Sequence, residues 1–460
     1  MGLFQKSNNK QQPGQKKDET EVQLALDIGS SKIRLIAGKV LEDKSVLVLG
    51  YMEVPSVGVS KGAVTDIALL SSAIADLIRK FTDAYKINVD HLTVGFPSCF
   101  ALAENQQGTA TVQSGKVTAE DRDSAIKNAK AGIQNIDETK FKIVHIIPQN
   151  YITETSDEIY NPIGQYAKKI GVCVHIIGIK LSHIKNIESV LKSINPDLRI
   201  DSDVNNDNAA SDAVLTESEK EIGVCHIDIG KGTVGVSVYD KKHRVISFGI
   251  NDGGVFIDDE IARFYGINMN VAEKIRIQLG VAREDYLLES DYAELDVHLH
   301  GSDPNQSNVI KVKKADISYF INKNLTNIFR KVIDHIDLEA KVNRLNGKSL
   351  SLGAGFVITG GVAKTPYIDQ VLENIIFNRG DNTEILINRK FRIGIPRGVE
   401  VAPGACDKEI LEDPDKSVII GLLRCAQDSI ESQLEQKRTQ NTNSHRSFMR
   451  GMVDWFKREL

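Results

Sequence analysis

Apolar positions recur along this chain with two different periods. Around residues 22–53 they alternate or gather in short β-branched runs, which predicts three successive strands, Val22–Asp27, Lys32–Val40 and Ser45–Glu53. From 66 to 85 the spacing becomes helical, with Ile67, Leu70, Ile74, Leu77, Ile78 and Phe81 on one face. Strands predicted at His91–Phe96, Ala110–Gln113 and Lys142–Ile147 then surround a capped helix at Thr118–Gly132, so residues 86–167 read as a small α+β insertion. The chain continues with a strand at Val172–Ile177, a helix at His183–Ile194, strand-like Arg199–Asp201 and a connecting helix over 209–216. Further on, a strand at Asn308–Lys313 and a helix from Asp316 to Val332 suggest a second small subdomain.

Two of the predicted strand pairs share an unusual tip. Residues 222–239 are two apolar runs meeting at Asp228-Ile-Gly-Lys-Gly-Thr233, and residues 24–38 repeat the form with Asp27-Ile-Gly-Ser-Ser-Lys32. Gly230 and Gly232 allow left-handed backbone and a close approach to a ligand, and successive free N–H groups at such a tip make a concave anion site. A carboxylate at each mouth suits Mg2+ held through waters beside phosphates. Aligning Asp27 with Asp228 superposes strand, tip and returning strand, so the chain reads as two related lobes. A third stretch, Phe356-Val-Ile-Thr-Gly360-Gly361, is a strand entering a Gly-Gly turn where backbone can press against a base or ribose.

Composition narrows the class. With 460 residues the chain exceeds a single core, and 41% hydrophobic with 26% charged residues is ordinary for a globular protein. A net charge of -5 argues against a general nucleic-acid binder. The five cysteines, Cys99, Cys173, Cys225, Cys406 and Cys425, have no metal-site or paired spacing and read as free thiols. Residues 1–20 are polar and expected to be disordered, without a signal-peptide core.

Taken jointly and in this order, the Asp27 tip, the Asp228 tip and Ile358-Thr-Gly-Gly361 resemble the two phosphate loops and the adenosine loop of the actin/Hsp70/sugar-kinase ATPase superfamily. Within it the chain is similar, over nearly its whole length, to the FtsA family of bacterial cell-division proteins. Val64-Thr-Asp66, His145-Ile-Ile-Pro-Gln-Asn-Tyr151, Asn161-Pro-Ile-Gly164, Val214-Leu-Thr-Glu217, Gly223-Val-Cys-His-Ile-Asp228 and Gly421-Leu-Leu423 carry that likeness. The resemblance implies an α/β, actin-like (ribonuclease H-like) duplicated two-lobe fold. Its expected parts are a first lobe at 21–85, 168–202 and 395–428, an inserted subdomain at 86–167, and a second lobe at 203–245 and 321–394 carrying a subdomain at 246–320. It implies that ATP and Mg2+ bind between the lobes, with Asp27 and Asp228 organising the metal. Gly29, Ser30, Ser31, Lys32, Gly230, Lys231, Gly232 and Thr233 would hold phosphates, helped by Gly253 and Gly254 at a helix N-terminus. Glu273 and Lys274 would meet ribose and base, and Gly360 and Gly361 would border adenosine. Asn206 and Asp207 stand where the superfamily positions the attacking water. They replace the usual Gln or Glu, so weak or absent hydrolysis is implied. The implied partners are the tail peptide of the tubulin-like FtsZ, with Lys311, Lys313 and Lys314 as attracting charges, a second copy in a filament, and later division proteins docking on 86–167. The implied place is the cytoplasmic face of the inner membrane at the division site.

The last residues change the picture once more. Residues 429–446 are a polar linker with a reach of roughly 20–25 Å if flexible. At a helical ~100° per residue, Phe448, Met449, Met452, Val453, Trp455, Phe456 and Leu460 fall on one arc, while Arg450, Lys457 and Arg458 take the other side. A helix over 447–460 is about 21 Å long, too short to span a bilayer but suited to lie among anionic headgroups. Three alternatives remain open at this stage. A PilM-like assembly protein shares the fold and insertion but should lack this tail, a sugar kinase needs a catalytic Asp beside a sugar pocket, and an Hsp70-type chaperone needs a large domain after residue 428.

Overall fold

The computed structural model describes residues 21–156, 158–299, 308–342, 350–379 and 385–427. The expectations for 1–20, for the linker 429–446 and for the helix 447–460 fall outside the described residues.

Two sheets with one plan organise the molecule. In the first, Gln23–Ile28 pairs antiparallel with Lys32–Val40, which pairs antiparallel with Val46–Pro55. On its other side Gln23–Ile28 runs parallel to His91–Phe96, and that strand runs parallel to Arg199–Asn205. In the second, Val224–Ile229, Val234–Asp240 and His243–Ile250 repeat the antiparallel meander, and Gly355–Thr359 and Phe391–Ile393 repeat the parallel pair. Counted along the chain, both lobes have the spatial order third, second, first, fourth, fifth. The first lobe gains a sixth strand, Val399–Val401, when the chain returns to it.

This order follows from connection lengths. Antiparallel neighbours close with tight turns, whereas each parallel pair needs a crossover. Helix Ile67–Tyr85 is the first crossover; Asp66 caps it by accepting from the Leu69 N–H (2.9 Å), and Leu70, Ile74, Leu77 and Phe81 are its buried face. Ile67, expected on that face, is exposed. The central strand Gln23–Ile28 is buried at all six positions.

The insertion differs in extent from the expectation of 86–167. Ala101–Thr111, Lys169–Lys180 and Phe141–Ile152 form a separate three-stranded sheet, with Lys169–Lys180 in the middle. Strand His91–Phe96 belongs instead to the first-lobe sheet, so the inserted body runs from about 101 to 180. A strand pattern alone does not say which sheet the strand joins, and the 12-residue Lys169–Lys180 reads equally well as a return to the lobe. Two other boundaries move. The strand at 199 continues to Asn205, so the connecting helix is Asn206–Val214 rather than 209–216. The helix expected at 316–332 spans Lys314–Val342. His243–Ile250 lies in the second-lobe sheet, so the subdomain expected at 246–320 begins after it.

The lobes join through a shared core. Ile36 and Val46 from the first, Tyr239 and Val357 from the second, and Ala210 and Ile420 from two helical segments pack in one cluster. Those segments, Asn206–Val214 and the helical stretch 417–427, touch backbone to backbone, because a Cβ on Gly421 would meet the Ala209 carbonyl.

Candidate functional site

The duplicated plan brings the two acidic tips face to face. Each tip closes with the same bond: the Gly29 N–H donates to the Lys32 carbonyl (3.0 Å) and the Gly230 N–H to the Thr233 carbonyl (2.9 Å). Neither Gly230 nor Gly232 has the left-handed backbone expected of it. Space is the reason for Gly232, since a Cβ there would lie 2.5 Å from Ser30 Oγ of the other tip. Between the tips lies a cleft of about 310 Å³. Asp27, Gly29, Ser30, Ser31 and Lys32 line it from one lobe, and Asp228, Gly230, Lys231, Gly232, Thr233, Glu273, Gly360 and Gly361 from the other.

The two acids stand in unequal surroundings. Across the hairpin from Asp27 the sequence places Arg34, whose guanidinium donates to the Asp27 carboxylate (2.9 Å). Across from Asp228 it places Gly235, and Asp207 fills the space a side chain there would occupy. Asp228 instead accepts from the Thr359 hydroxyl (2.9 Å), and Thr359 Oγ1 lies 2.9 Å from His226 Nε2. Because the hydroxyl proton goes to Asp228, Nε2 of His226 is the donor to Thr359, and burial keeps that imidazole neutral, its pKa pushed down to about 3. Burial pushes Asp228 up to about 6 against the Thr359 bond, and the charge of Asp27 adds to the rise. Asp27 is also raised, by burial above all, with Arg34 opposing. Both carboxylates are thus raised above the usual carboxylate range, Asp27 beside a guanidinium and the half-buried Asp228 without one in hydrogen-bond reach.

Around Asp27 the compensation is extended. Arg34 also reaches Asp415 (3.3 Å) and Glu53 (3.4 Å), and Lys32 pairs with Glu53. Burial alone would raise Asp415, but Arg34, Lys416 and Lys364 bring it down to about 2. Lys32 and Lys231, expected to face phosphates, are therefore each engaged already, Lys231 with Glu273 at 2.7 Å.

Three expected contacts are placed elsewhere. Gly253 and Gly254 do not line the cleft: helix Gly254–Tyr265 gives its first N–H groups to the Gly230 (3.1 Å) and Lys231 (2.7 Å) carbonyls. Its N-terminus thus braces the second tip instead of facing an anion. Lys274 is exposed and does not line the cleft, while Glu273, Arg276, Ile277 and Gly280 do so at helical spacing. Asn206 lines the cleft, its buried Oδ1 without a hydrogen-bond partner. Its neighbour Asp207 does not; it is buried behind Gly235, with Oδ2 unpartnered and its pKa pushed by burial up to about 7. Of the three lysines expected to attract a partner, Lys311 pairs with Glu294 (3.1 Å) and Lys314 with Asp291 (3.1 Å). The backbone N–H of Lys313 donates to the Tyr265 hydroxyl (3.0 Å).

Several cleft residues carry no motif of their own. Arg276 is held by the fully buried Asp258 (2.6 Å), and Val362, Lys364, Thr365 and Pro366 extend the Gly360 turn into a wall. Gly360 has left-handed backbone, φ 89°, and a Cβ on it would lie 2.8 Å from Asp228 Oδ1. The helical spacing of 273, 276, 277 and 280 was the signal available for Arg276.

Paired five-strand sheets of this order, joined by a shared core and enclosing a cleft between acidic hairpin tips, define the actin-like two-lobe class. Among solved structures, the PilM-PilN type IV pilus biogenesis complex aligns over 88% of this chain and 98% of its own, with a TM-score of 0.56 and 12% identity, a likeness of fold. The family model for cell division protein FtsA matches residues 225–421, and the model for the SHS2 domain inserted in FtsA matches 102–178, close to the inserted body seen here. FtsA of Neisseria meningitidis serogroup B is 30% identical over 404 residues, 87% of this chain and 89% of that one. FtsA of Buchnera aphidicola subsp. Baizongia pistaciae is 26% identical over 443 residues, covering 95% and 98%. The chain belongs to the FtsA family of cell-division proteins.

Proposed function

We propose that this cell-division protein binds ATP with Mg2+ between its lobes and works as a membrane-bound, self-associating anchor for FtsZ. The observation that carries the nucleotide reading is the meeting of both glycine-rich tips on one cleft, with an acid from each in its lining. A cleft of about 310 Å³ is within the range of small-molecule sites. Asp27 and Asp228 are the residues that would hold Mg2+, through waters, and the ion would supply the positive charge that these two carboxylates and a triphosphate share. Backbone N–H groups of both tips orient the phosphates, while the 360–366 turn and the 273–280 helix face wall off adenosine.

Asn206 is the one polar side chain from the connecting helix in the cleft wall. Its free carbonyl oxygen can orient a water but cannot take its proton, and Asp207, which could, is behind Gly235. Slow or absent turnover fits this arrangement, with ATP acting to set the lobe closure that filament contacts read. The apolar arc of 447–460, the linker before it and the family membership support attachment to the cytoplasmic face of the membrane at the division site. No helix among the described residues is long and apolar enough to cross a membrane. The FtsZ peptide, anionic lipids, a second copy and later division proteins on the inserted body complete the proposed partners.

Asp228→Asn tests the core of this reading, because the amide can still accept from Thr359 while losing the charge. Direct titration should show Mg-ATP affinity reduced about tenfold or more, a change of ~1.4 kcal/mol. Unchanged affinity would remove the metal role from Asp228.

A further inference from the structure

A third tip, from a short hairpin that follows the first meander, enters the same place. Strands Val59–Ser60 and Ala63–Val64 belong to the first lobe, and their turn is Lys61–Gly62. The Gly62 N–H donates to Ser30 Oγ of the first tip (2.8 Å). The turn also touches the second tip: a Cβ on Gly232 would lie 2.7 Å from Lys61 Cα, and a Cβ on Gly62 3.1 Å from Thr233 Cγ2. Lys61 and Gly62 hold left-handed φ of 48° and 75°, the pair that a two-residue hairpin turn of this kind requires. Its ammonium sits 4.2 Å from the ring centroid of Phe256, on the helix of the second lobe that braces Gly230 and Lys231. Lys61 forms no ion pair with a carboxylate among the described residues, so the aromatic face is the partner the structure gives its charge.

We propose that Lys61 is a positioning residue: by clasping Phe256 across the lobe boundary, it holds the second tip against the first and slows the release of the bound nucleotide. The proposal rests on the nucleotide reading above. Opening the cleft separates a first-lobe cation from a second-lobe ring, so the contact is lost in the open state and kept in the closed one.

The test uses the full chain, a fluorescent ATP analogue with Mg2+, and stopped-flow measurement of its release. Lys61→Met keeps the stem and loses the charge, and release should be about two- to fivefold faster. Phe256→Leu should give a similar increase and the double variant little more, while Lys61→Arg, which keeps the cation over the ring, should release at the wild-type rate. Hydrogen exchange without nucleotide supplies an independent readout, with amides of 59–64 and 230–233 exchanging faster in Lys61→Met. Unchanged release together with unchanged exchange overturns the clasp, as does Lys61→Arg behaving like Lys61→Met. If exchange quickens but the analogue binds none of the proteins, the interlobe contact stands and the nucleotide reading falls.

Discussion

At the scale of residues, the two halves of the cleft have diverged where the duplicated hairpins face each other. Arg34 and Gly235 occupy equivalent register positions, so one acid receives a guanidinium and the other a neighbouring carboxyl, Asp207. Asp207 is raised to about 7 and Asp228 to about 6, both above the usual carboxylate range. A carboxyl whose folded pKa is raised contributes stability that is complete below its unfolded pKa and is lost as pH rises through the folded one. In the nucleotide-free protein the share of stability that Asp207 and Asp228 contribute should therefore decline from pH 4 to above pH 7, while the buried imidazoles His145, His175, His183 and His226, held neutral by burial, contribute in the opposite direction over the acidic part of that range. Asp207→Asn should flatten that decline and, at pH 8, stabilise the protein by at least about 1.4 kcal/mol in chemical denaturation. An unchanged pH profile would mean that Asp207 is not the strained group. The acids and glycines of both tips were legible in the sequence because turn chemistry is local. Arg34, Thr359 and His226 were not, because their roles depend on cross-strand register and on a strand more than 100 residues away.

At the scale of elements, the apolar period located the lobe strands and the helix Ile67–Tyr85 but fell short of the full helix Lys314–Val342, and ownership was the harder question. Lys169–Lys180 reads the same in either sheet, and only its pairing on both edges assigns it to the inserted body. The N-terminus of Gly254–Tyr265 shows the complementary difficulty: a helix start after two glycines suggests an anion site, but its N–H groups are already taken by the second tip. Helix contacts also separate glycines of different kinds. Gly421 lies against the Ala209 carbonyl, a backbone atom that cannot move aside, whereas a Cβ on Gly361 meets nothing within 4 Å. Gly421→Ala should destabilise the fold by about 1–3 kcal/mol, and Gly361→Ala should leave thermal unfolding nearly unchanged while weakening nucleotide binding. Equal thermal effects of the two would contradict the packing described for the connecting helices.

At the scale of the whole molecule, the duplicated sheets, the inserted body and the cleft form one unit. His175 Nε2 lies 2.9 Å from Ser247 Oγ, and Gln149 donates to the Arg244 carbonyl (2.6 Å), so the insertion is bonded to the second lobe as well as continuous with the first. The fold was legible in outline because two copies of one motif at a distance imply two copies of a lobe. The membrane step is a separate claim, tested by removing residues 447–460: co-sedimentation with anionic vesicles should be abolished, and persistent binding would contradict the anchor. The nucleotide claim is tested most directly by a crystal structure with Mg2+ and a non-hydrolysable ATP analogue. Phosphates should lie between backbone amides of both tips, with Asp27 and Asp228 the carboxylates beside the metal. An analogue bound to one tip alone, or away from the cleft, would contradict the claim.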